Sequence, residues 1–162
     1  MHADLLSTAR KLLCPIDGNE PSNTDLRRAV STAYYAVFHH LSRACSELLV
    51  KSEDKLLTRA QSQVYRAIDH RDVMAACQMA RNAKTGFPKS ISDYASLIVN
   101  MYRSRCNADY DPSEAGNFSI PQVLHKIGEV EEAIRRFNSV NADDRLAFAL
   151  LVVVKKARRD QM

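Results

Sequence analysis

The chain has 162 residues and a formal net charge of +4, with four glycines, five prolines and no tryptophan. This length predicts a single domain over residues 1–162, large enough to bury a core without disulfides or metals. The composition favours an all-helical protein over a β-rich one, and the small basic excess is compatible either with a plain solvated surface or with nucleic-acid binding.

The first third of the chain predicts two helices separated by a polar loop. A short helix covers about residues 3–13 and stops before Pro15. A long helix begins near Asn23, because apolar residues then repeat at spacings of three and four through six turns: Leu26, Val30, Ala33, Val37, Leu41, Ala44 and Leu48. A second stripe on another face of this helix indicates two-sided packing or a binding surface; its members are Ser31, Tyr35, Phe38 and Ser42.

The middle of the chain predicts three further helices. The capping box Thr58-x-x-Gln61 opens a short helix that ends near Ile68. Another helix covers about residues 71–83, before the break at Gly86. The next one starts near residue 90, with Asp93 in its first turn, and ends within residues 109–112, because the residue before a proline is disfavoured in a helix.

The last third predicts two helices and a dimer. The capping box Ser119-x-x-Gln122 precedes a heptad-like apolar seam over residues 120–137. A final helix covers about residues 143–159, with a basic run at 155–159 that suits a helix C-terminus. Its middle is apolar nearly all round, which is typical of a helix buried by a second chain as well as by its own domain. We therefore expect an antiparallel up-and-down bundle of about five to seven helices that forms a homodimer.

Other classes of site and location are disfavoured. The cysteines are about thirty residues apart and lack metal-ligand spacing, so we expect no metal, no cofactor and reduced thiols: Cys14, Cys45, Cys77 and Cys106. The first residues do not form a secretory signal pattern. The longest apolar run, residues 146–154, would span about 13 Å as a helix, against the roughly 30 Å of a bilayer core. The sequence thus predicts a cytoplasmic protein without a membrane span.

An arginine occupies a predicted core position. Arg105 continues, at helical spacing, an apolar seam formed by Ile91, Tyr94, Ile98 and Met101. A guanidinium placed there needs carboxylate or hydrogen-bond partners, and Asp109, one turn later, is the nearest candidate. Arg103 and Asp111 complete a cluster of four charges that either binds a ligand or locks the end of the helix.

Polar and aromatic residues also concentrate on the long second helix, where Arg28, Ser31, Tyr35 and His39 are candidate site residues. His39 and His40 are adjacent and point about 100° apart, so they cannot both serve one site on the same face. The chain lacks a glycine-rich phosphate loop and a Ser-His-Asp arrangement. Catalysis by either of those routes is therefore not expected.

Two segments together resemble the HEPN domain family. They are residues 26–39, Leu-Arg-Arg-Ala-Val-Ser-Thr-Ala-Tyr-Tyr-Ala-Val-Phe-His, and residues 105–112, Arg-Cys-Asn-Ala-Asp-Tyr-Asp-Pro. Residues 65–70 are also similar to members whose cluster ends in Ala-Asp-Tyr-Asp-Pro. The resemblance is strongest over residues 24–155. It implies an up-and-down helical bundle that dimerises so that the charged clusters of two subunits share a cleft.

The resemblance also implies a function. Many HEPN domains are metal-independent endoribonucleases of toxin–antitoxin or defence systems, with an arginine and a later histidine separated by four to six intervening residues. Arg105 matches the arginine and would hold the scissile phosphate, whereas Tyr110, Asp111 and Pro112 occupy the positions of the histidine.

Three hypotheses follow from these residues. The first is RNA binding or cleavage, with Arg105 and Tyr110 in the catalytic positions and the following residues in contact with RNA or a partner: Arg28, Ser31, Tyr35, His39, Arg103, Asp109 and Asp111. The second is a non-catalytic interaction module that docks a partner protein such as a nucleotidyltransferase-like antitoxin. The third is a purely structural charge cluster, whose loss through Arg105→Ala would cost roughly 3–5 kcal/mol of stability.

Overall fold

A computed structural model describes residues 1–15, 18–113 and 117–154. Over these residues the chain forms seven α-helices, one short 3₁₀ helix and no sheet, so the predicted all-helical bundle is confirmed. The helices are α1 (His2–Lys11), α2 (Asn23–Leu49), α3 (Arg59–Ala67), α4 (His70–Ala80), α5 (Lys89–Tyr110), α6 (Ile120–Ser139) and α7 (Ala142–Val153), with the 3₁₀ helix at Ala83–Thr85.

Side-chain caps set the starts of most helices. Both predicted capping boxes are present, with Thr58 before α3 and Ser119 before α6. A third capping box, between Ser22 and Asp25, starts α2. Each cap satisfies backbone N–H groups that have no partner inside the helix, and such a cap typically contributes about 1 kcal/mol.

Helix α2 is the centre of the bundle and packs against α1, α3, α5, α6 and α7. The first five members of its predicted apolar seam are buried, and Ala44 and Leu48 are half-buried. Ser31, Phe38 and Ser42 of the second stripe are buried too. For these three residues the packing alternative is confirmed, whereas Tyr35, the fourth member of the stripe, is half-buried. Each large apolar side chain buried in this way contributes about 1.5–3 kcal/mol relative to an exposed one.

Several predicted helix boundaries differ from the structure. Helix α1 ends at Lys11 instead of residue 13. Helix α4 starts one residue earlier than predicted, because the side chain of Asp69 caps it, and it ends at Ala80; the segment after it becomes the 3₁₀ helix. Helix α5 starts at Lys89, so Asp93 lies in the second turn, where it forms an ion pair of 2.6 Å with Lys89.

The last helix is shorter than predicted. It ends at Val153, not at residue 159, within a run of three valines whose β-branched side chains disfavour a helix. The predicted basic cap at 155–159 lies outside the described residues. Phe148, Ala149 and Val152 of α7 are buried, whereas Leu150 is 43% exposed. None of the described helices combines the length and the apolar character that crossing a membrane requires.

Candidate functional site

Arg105 lies at the end of a buried helical seam, as predicted. Ile98 and Met101 of α5 are at most 1% exposed, and the side chain of Arg105, one turn further on, is 13% exposed. Its Nε lies 2.7 Å from Oδ2 of Asp109, whose side chain is 18% exposed. The contact is an ion pair whose angle is not that of a hydrogen bond. The predicted pairing of Arg105 with Asp109 is confirmed.

Ser31 joins this ion pair to the central helix. Its hydroxyl donates a hydrogen bond to Oδ1 of Asp109, across the contact between α2 and α5. Ser31 is 4% exposed, so the bond is formed inside the bundle. The two oxygens of Asp109 are thus held by different groups, and this arrangement fixes the orientation of Arg105.

Two tyrosines surround the guanidinium of Arg105. Its Nη2 donates to the hydroxyl of Tyr35 at 3.2 Å and to that of Tyr110 at 3.0 Å. The guanidinium carbon lies 5.7 Å and 5.0 Å from the centroids of the same two rings, within the range of cation–π contacts. Burial opposes the charge of Arg105, but Tyr35, Asp109 and Tyr110 together hold its pKa above the ordinary value.

This cluster has more hydrogen-bond donors than acceptors. Each tyrosine hydroxyl accepts from Arg105, so its own O–H still needs an acceptor, and none is present for Tyr35 or Tyr110 among residues 1–15, 18–113 and 117–154. The Nη1 group of Arg105 likewise donates to no described residue. Phenol and guanidinium donors that face no acceptor form a set suited to an anion.

A second arginine closes the same helix end. Arg27 of α2 donates from Nη2 to the backbone carbonyl of Asp111, the residue that ends α5. The carboxylate of Asp111 accepts from the backbone N–H of Ser113 at 2.8 Å, and this hydrogen bonding lowers its pKa. Sequence reasoning selected Arg28 and missed Arg27. Spacing does not separate the two arginines, because Arg27 lies four and Arg28 three residues before Ser31, and both spacings share a helix face.

Two predicted site residues lie outside these contacts. Arg28 is exposed, and so is Arg103, which lies two residues from Arg105 and hence about 200° around α5. Neither side chain forms an ion pair within the described parts of the chain. The four-charge cluster expected from the sequence is therefore a cluster of Arg105 and Asp109 with Arg27 and Asp111.

Two histidines lie beside the tyrosines. The Nδ1 of His39 shares a hydrogen bond with the hydroxyl of Tyr65, and the two rings are parallel at 5.9 Å. His70, the first residue of α4, places its Nδ1 2.7 Å from the hydroxyl of Tyr34. Its pKa is lowered by burial and then by the charge of Arg105. Sequence reasoning missed His70, because no spacing along the chain links it to α2 or α5.

His40 belongs to a different, interior network. Its Nδ1 lies 2.7 Å from the hydroxyl of Tyr94, and its Nε2 lies 3.1 Å from Oδ1 of Asn138. Burial lowers the pKa of His40 to about 4. The prediction that His39 and His40 cannot serve one site is confirmed, since His39 contacts Tyr65 and His40 contacts α5 and α6.

The described residues offer no alternative chemical centre of comparable kind. A surface cleft of about 530 Å³ between α2 and the segment before α3 contains Arg43 and Glu47, which already pair with each other at 2.6 Å. Across residues 1–15, 18–113 and 117–154, no three His, Cys, Asp or Glu side chains are grouped so as to hold a metal ion. Cys45 and Cys77 are buried, and burial raises the pKa of each thiol to about 12.

Comparisons with models of protein families, with curated proteins and with solved structures find no match to this chain.

Proposed function

We propose that the chain is a HEPN-like module that binds single-stranded RNA and acts on it without a metal ion, with Arg105 in contact with a backbone phosphate. The observation that carries the proposal is the excess of donors around Arg105. Its Nη1 and the hydroxyls of Tyr35 and Tyr110 have no described acceptor, and a phosphate oxygen is the acceptor that such donors prefer.

The surroundings of Arg105 suit a bound strand rather than an isolated ion. Asp109 orients the guanidinium through Nε and leaves Nη1 available. Tyr110 is 69% exposed, so its ring can stack on a base, which contributes about 1–3 kcal/mol per base in single-strand binding. Arg28 and Arg103 are exposed outside the cluster, where a longer strand could contact them. In this proposal Tyr110 contributes its ring and hydroxyl at the position where the HEPN family has histidine.

Binding of a labelled RNA tests this proposal. Fluorescence anisotropy with a single strand of about 20 nucleotides, titrated across salt concentrations, gives the affinity and the number of phosphate contacts. We expect Arg105→Ala to weaken binding by at least about 10-fold and to reduce the salt slope by about 0.7, the value for one phosphate contact. Arg105→Lys keeps the charge that pairs with Asp109 and should recover only part of the affinity, because the planar fork is lost.

A matched control removes the same charge elsewhere. Arg135 is exposed on α6, pairs with Glu132 at 2.6 Å and borders a cleft with His2 and Asn138, away from the α5 end. Arg135→Ala should change the affinity by less than about twofold. The proposal is wrong if the wild-type chain does not bind RNA at low salt, or if Arg105→Ala and Arg135→Ala weaken binding equally while both remain folded.

The proposal includes a homodimer, as the resemblance implies. Ala147 and Leu150 of α7 and Val154, the residue that follows the helix, lie at spacings of three and four, and all three are exposed. A second copy of the chain would bury this apolar stripe. Light scattering after gel filtration should show a dimer that Leu150→Glu dissociates. A wild-type monomer at micromolar concentration contradicts this part of the proposal.

The same stripe favours a second candidate function, a non-catalytic module that docks a partner such as a nucleotidyltransferase-like antitoxin. Co-expression and co-purification with a protein of that class test it. The outcome that supports it is a one-to-one complex that Leu150→Glu abolishes, together with a wild-type chain that lacks RNA affinity. Under both candidate functions we propose a role in a toxin–antitoxin or defence system and a cytoplasmic location.

A further inference from the structure

His39 and His70 both lie against the rings of Tyr35 and Phe38. The ring centroids of His39 and His70 are 6.2 Å and 6.0 Å from that of Tyr35, and 5.6 Å and 4.3 Å from that of Phe38. The hydroxyl of Tyr35 is bonded to Arg105. Two imidazoles from different helices are therefore positioned beside the donor cluster proposed to hold the phosphate.

Both imidazoles are held in the same way. A tyrosine hydroxyl contacts Nδ1 in each case, Tyr65 for His39 and Tyr34 for His70. A hydroxyl oxygen can accept from Nδ1–H whether the imidazole is neutral or protonated. The Nε2 atoms form no hydrogen bond with residues 1–15, 18–113 or 117–154. Each ring thus has one nitrogen that orients it and one that is available for proton exchange.

The surroundings of the two rings favour the neutral imidazole in the free protein. Burial lowers the pKa of both, with Arg105 lowering and Asp69 raising that of His70, while His70 lowers that of His39. The other titratable groups that face them are the phenols of Tyr34, Tyr35, Tyr65 and Tyr102. Burial raises the pKa values of Tyr34 and Tyr65, so these two phenols stay protonated and serve only to hold the rings.

We propose that His39 and His70 are the proton-transfer pair of an RNA-cleaving site whose phosphate is held by Arg105. This inference rests on the proposed RNA binding and adds to it the groups that perform the reaction. The chain lacks a later histidine separated from Arg105 by four to six intervening residues, and these two histidines, contributed by α2 and α4, supply imidazoles to the same cluster.

The reaction is an internal transesterification. The Nε2 of neutral His70 accepts the proton of a ribose 2′-hydroxyl, and the 2′-oxygen attacks the adjacent phosphorus. The bond between phosphorus and the 5′-oxygen of the next nucleotide breaks. His39, whose protonated form is favoured by the negative charge of the bound phosphate, donates its Nε2 proton to that oxygen. The products are a 2′,3′-cyclic phosphate and a 5′-hydroxyl. His39 ends neutral and His70 protonated, and exchange with water restores both.

Cleavage of a single-stranded RNA of mixed sequence in the presence of a chelator tests the pair, with product ends identified by mass spectrometry. We expect His39→Gln and His70→Gln each to reduce cleavage by at least about 100-fold while RNA affinity stays within about twofold of the wild type. The double variant should be little worse than either single one, because the two groups act as a unit. An RNA with 2′-O-methyl groups should bind without being cleaved.

The matched control is His125→Gln. His125 is 75% exposed on α6 and lies 3.6 Å from Glu129, so its loss should leave cleavage unchanged. If either glutamine variant does not fold, Tyr65→Phe and His70→Asn provide independent tests of the same two rings. The assignment of the histidine pair is wrong, and RNA binding is unaffected, if the wild type binds RNA without cleaving it. The same holds if the histidine variants cleave RNA as fast as the wild type does. Wild-type protein that does not bind RNA overturns the proposed function as well.

Discussion

Two polar clusters of this bundle both include residues of α2 and differ in one property. The interior cluster of His40, Tyr94 and Asn138 is closed, since each imidazole nitrogen has a partner within 3.1 Å. The cluster around Arg105 is open, since its phenol O–H groups and Nη1 lack acceptors among the described residues. Both contain tyrosine and a group that carries or can gain positive charge.

The comparison separates a structural role from a binding role. In the closed cluster the hydroxyl of Tyr94 and the amide oxygen of Asn138 match the two nitrogens of His40, so a ligand would have to replace a bond already made. In the open cluster a ligand oxygen would satisfy groups that otherwise depend on water. We infer that the closed cluster stabilises the fold and that the open cluster binds a ligand.

The largest effect expected is on the closed cluster. His40→Ala removes a buried ring and leaves the hydroxyl of Tyr94 without its partner, so we expect a loss of about 2–4 kcal/mol in the free energy of unfolding. Urea denaturation followed by circular dichroism measures it. RNA affinity, measured below the unfolding transition, should stay within about twofold of the wild type. A stable variant would mean that the network contributes little to the fold.

The pH dependence of stability should also report the closed cluster. The pKa of His40 is about 4 in the folded chain and about 6.5 when unfolded. Below pH 6.5 the unfolded state therefore binds more protons, and stability falls as the pH drops from 7 to 4, by about 3 kcal/mol from His40. His2, His39 and His70 act in the same direction. His40→Gln should flatten most of this slope, and an unchanged slope contradicts the assignment.

Arg105 should have a smaller effect on stability than a structural ion pair. Its partner Asp109 keeps the hydroxyl of Ser31, and both charged side chains retain some solvent contact. We therefore expect Arg105→Ala to cost about 1–2 kcal/mol, below the 3–5 kcal/mol typical of breaking a fully buried pair. Urea denaturation of Arg105→Ala and of Asp109→Asn shows which of the two ranges applies. A loss of about 3 kcal/mol or more would instead favour a purely structural cluster.

The smallest effect expected concerns Tyr110. Its side chain is exposed and Arg105 keeps the hydroxyl of Tyr35, so Tyr110→Phe should change stability by less than about 0.5 kcal/mol. We expect RNA affinity to fall about threefold from the lost hydroxyl, and about 10-fold or more in Tyr110→Ala, where the stacking ring is lost too. Anisotropy titrations of both variants measure these changes. Equal affinities for the two would exclude stacking by the ring.

The sequence predicts the parts of this structure that depend on neighbouring residues. Capping boxes at Thr58 and Ser119 locate helix starts, and the four-residue spacing of Arg105 and Asp109 predicts their ion pair. Contacts between segments that are distant in the sequence are harder to predict from it. His70 reaches the cluster only because α4 packs on α5, and no periodicity within either helix encodes that contact. Arg27 was missed because adjacent arginines look alike until the face of the helix is assigned.

A matched pair of tyrosine variants tests the central distinction most directly. Tyr35→Phe and Tyr94→Phe each remove one hydroxyl, from the open and the closed cluster respectively. We predict that Tyr94→Phe lowers the free energy of unfolding by about 1–3 kcal/mol with unchanged RNA affinity. Tyr35→Phe should weaken RNA binding about fivefold or more and cost less than about 1 kcal/mol. RNA affinity that is equal in the two variants, both folded, would contradict the assignment of binding to the open cluster.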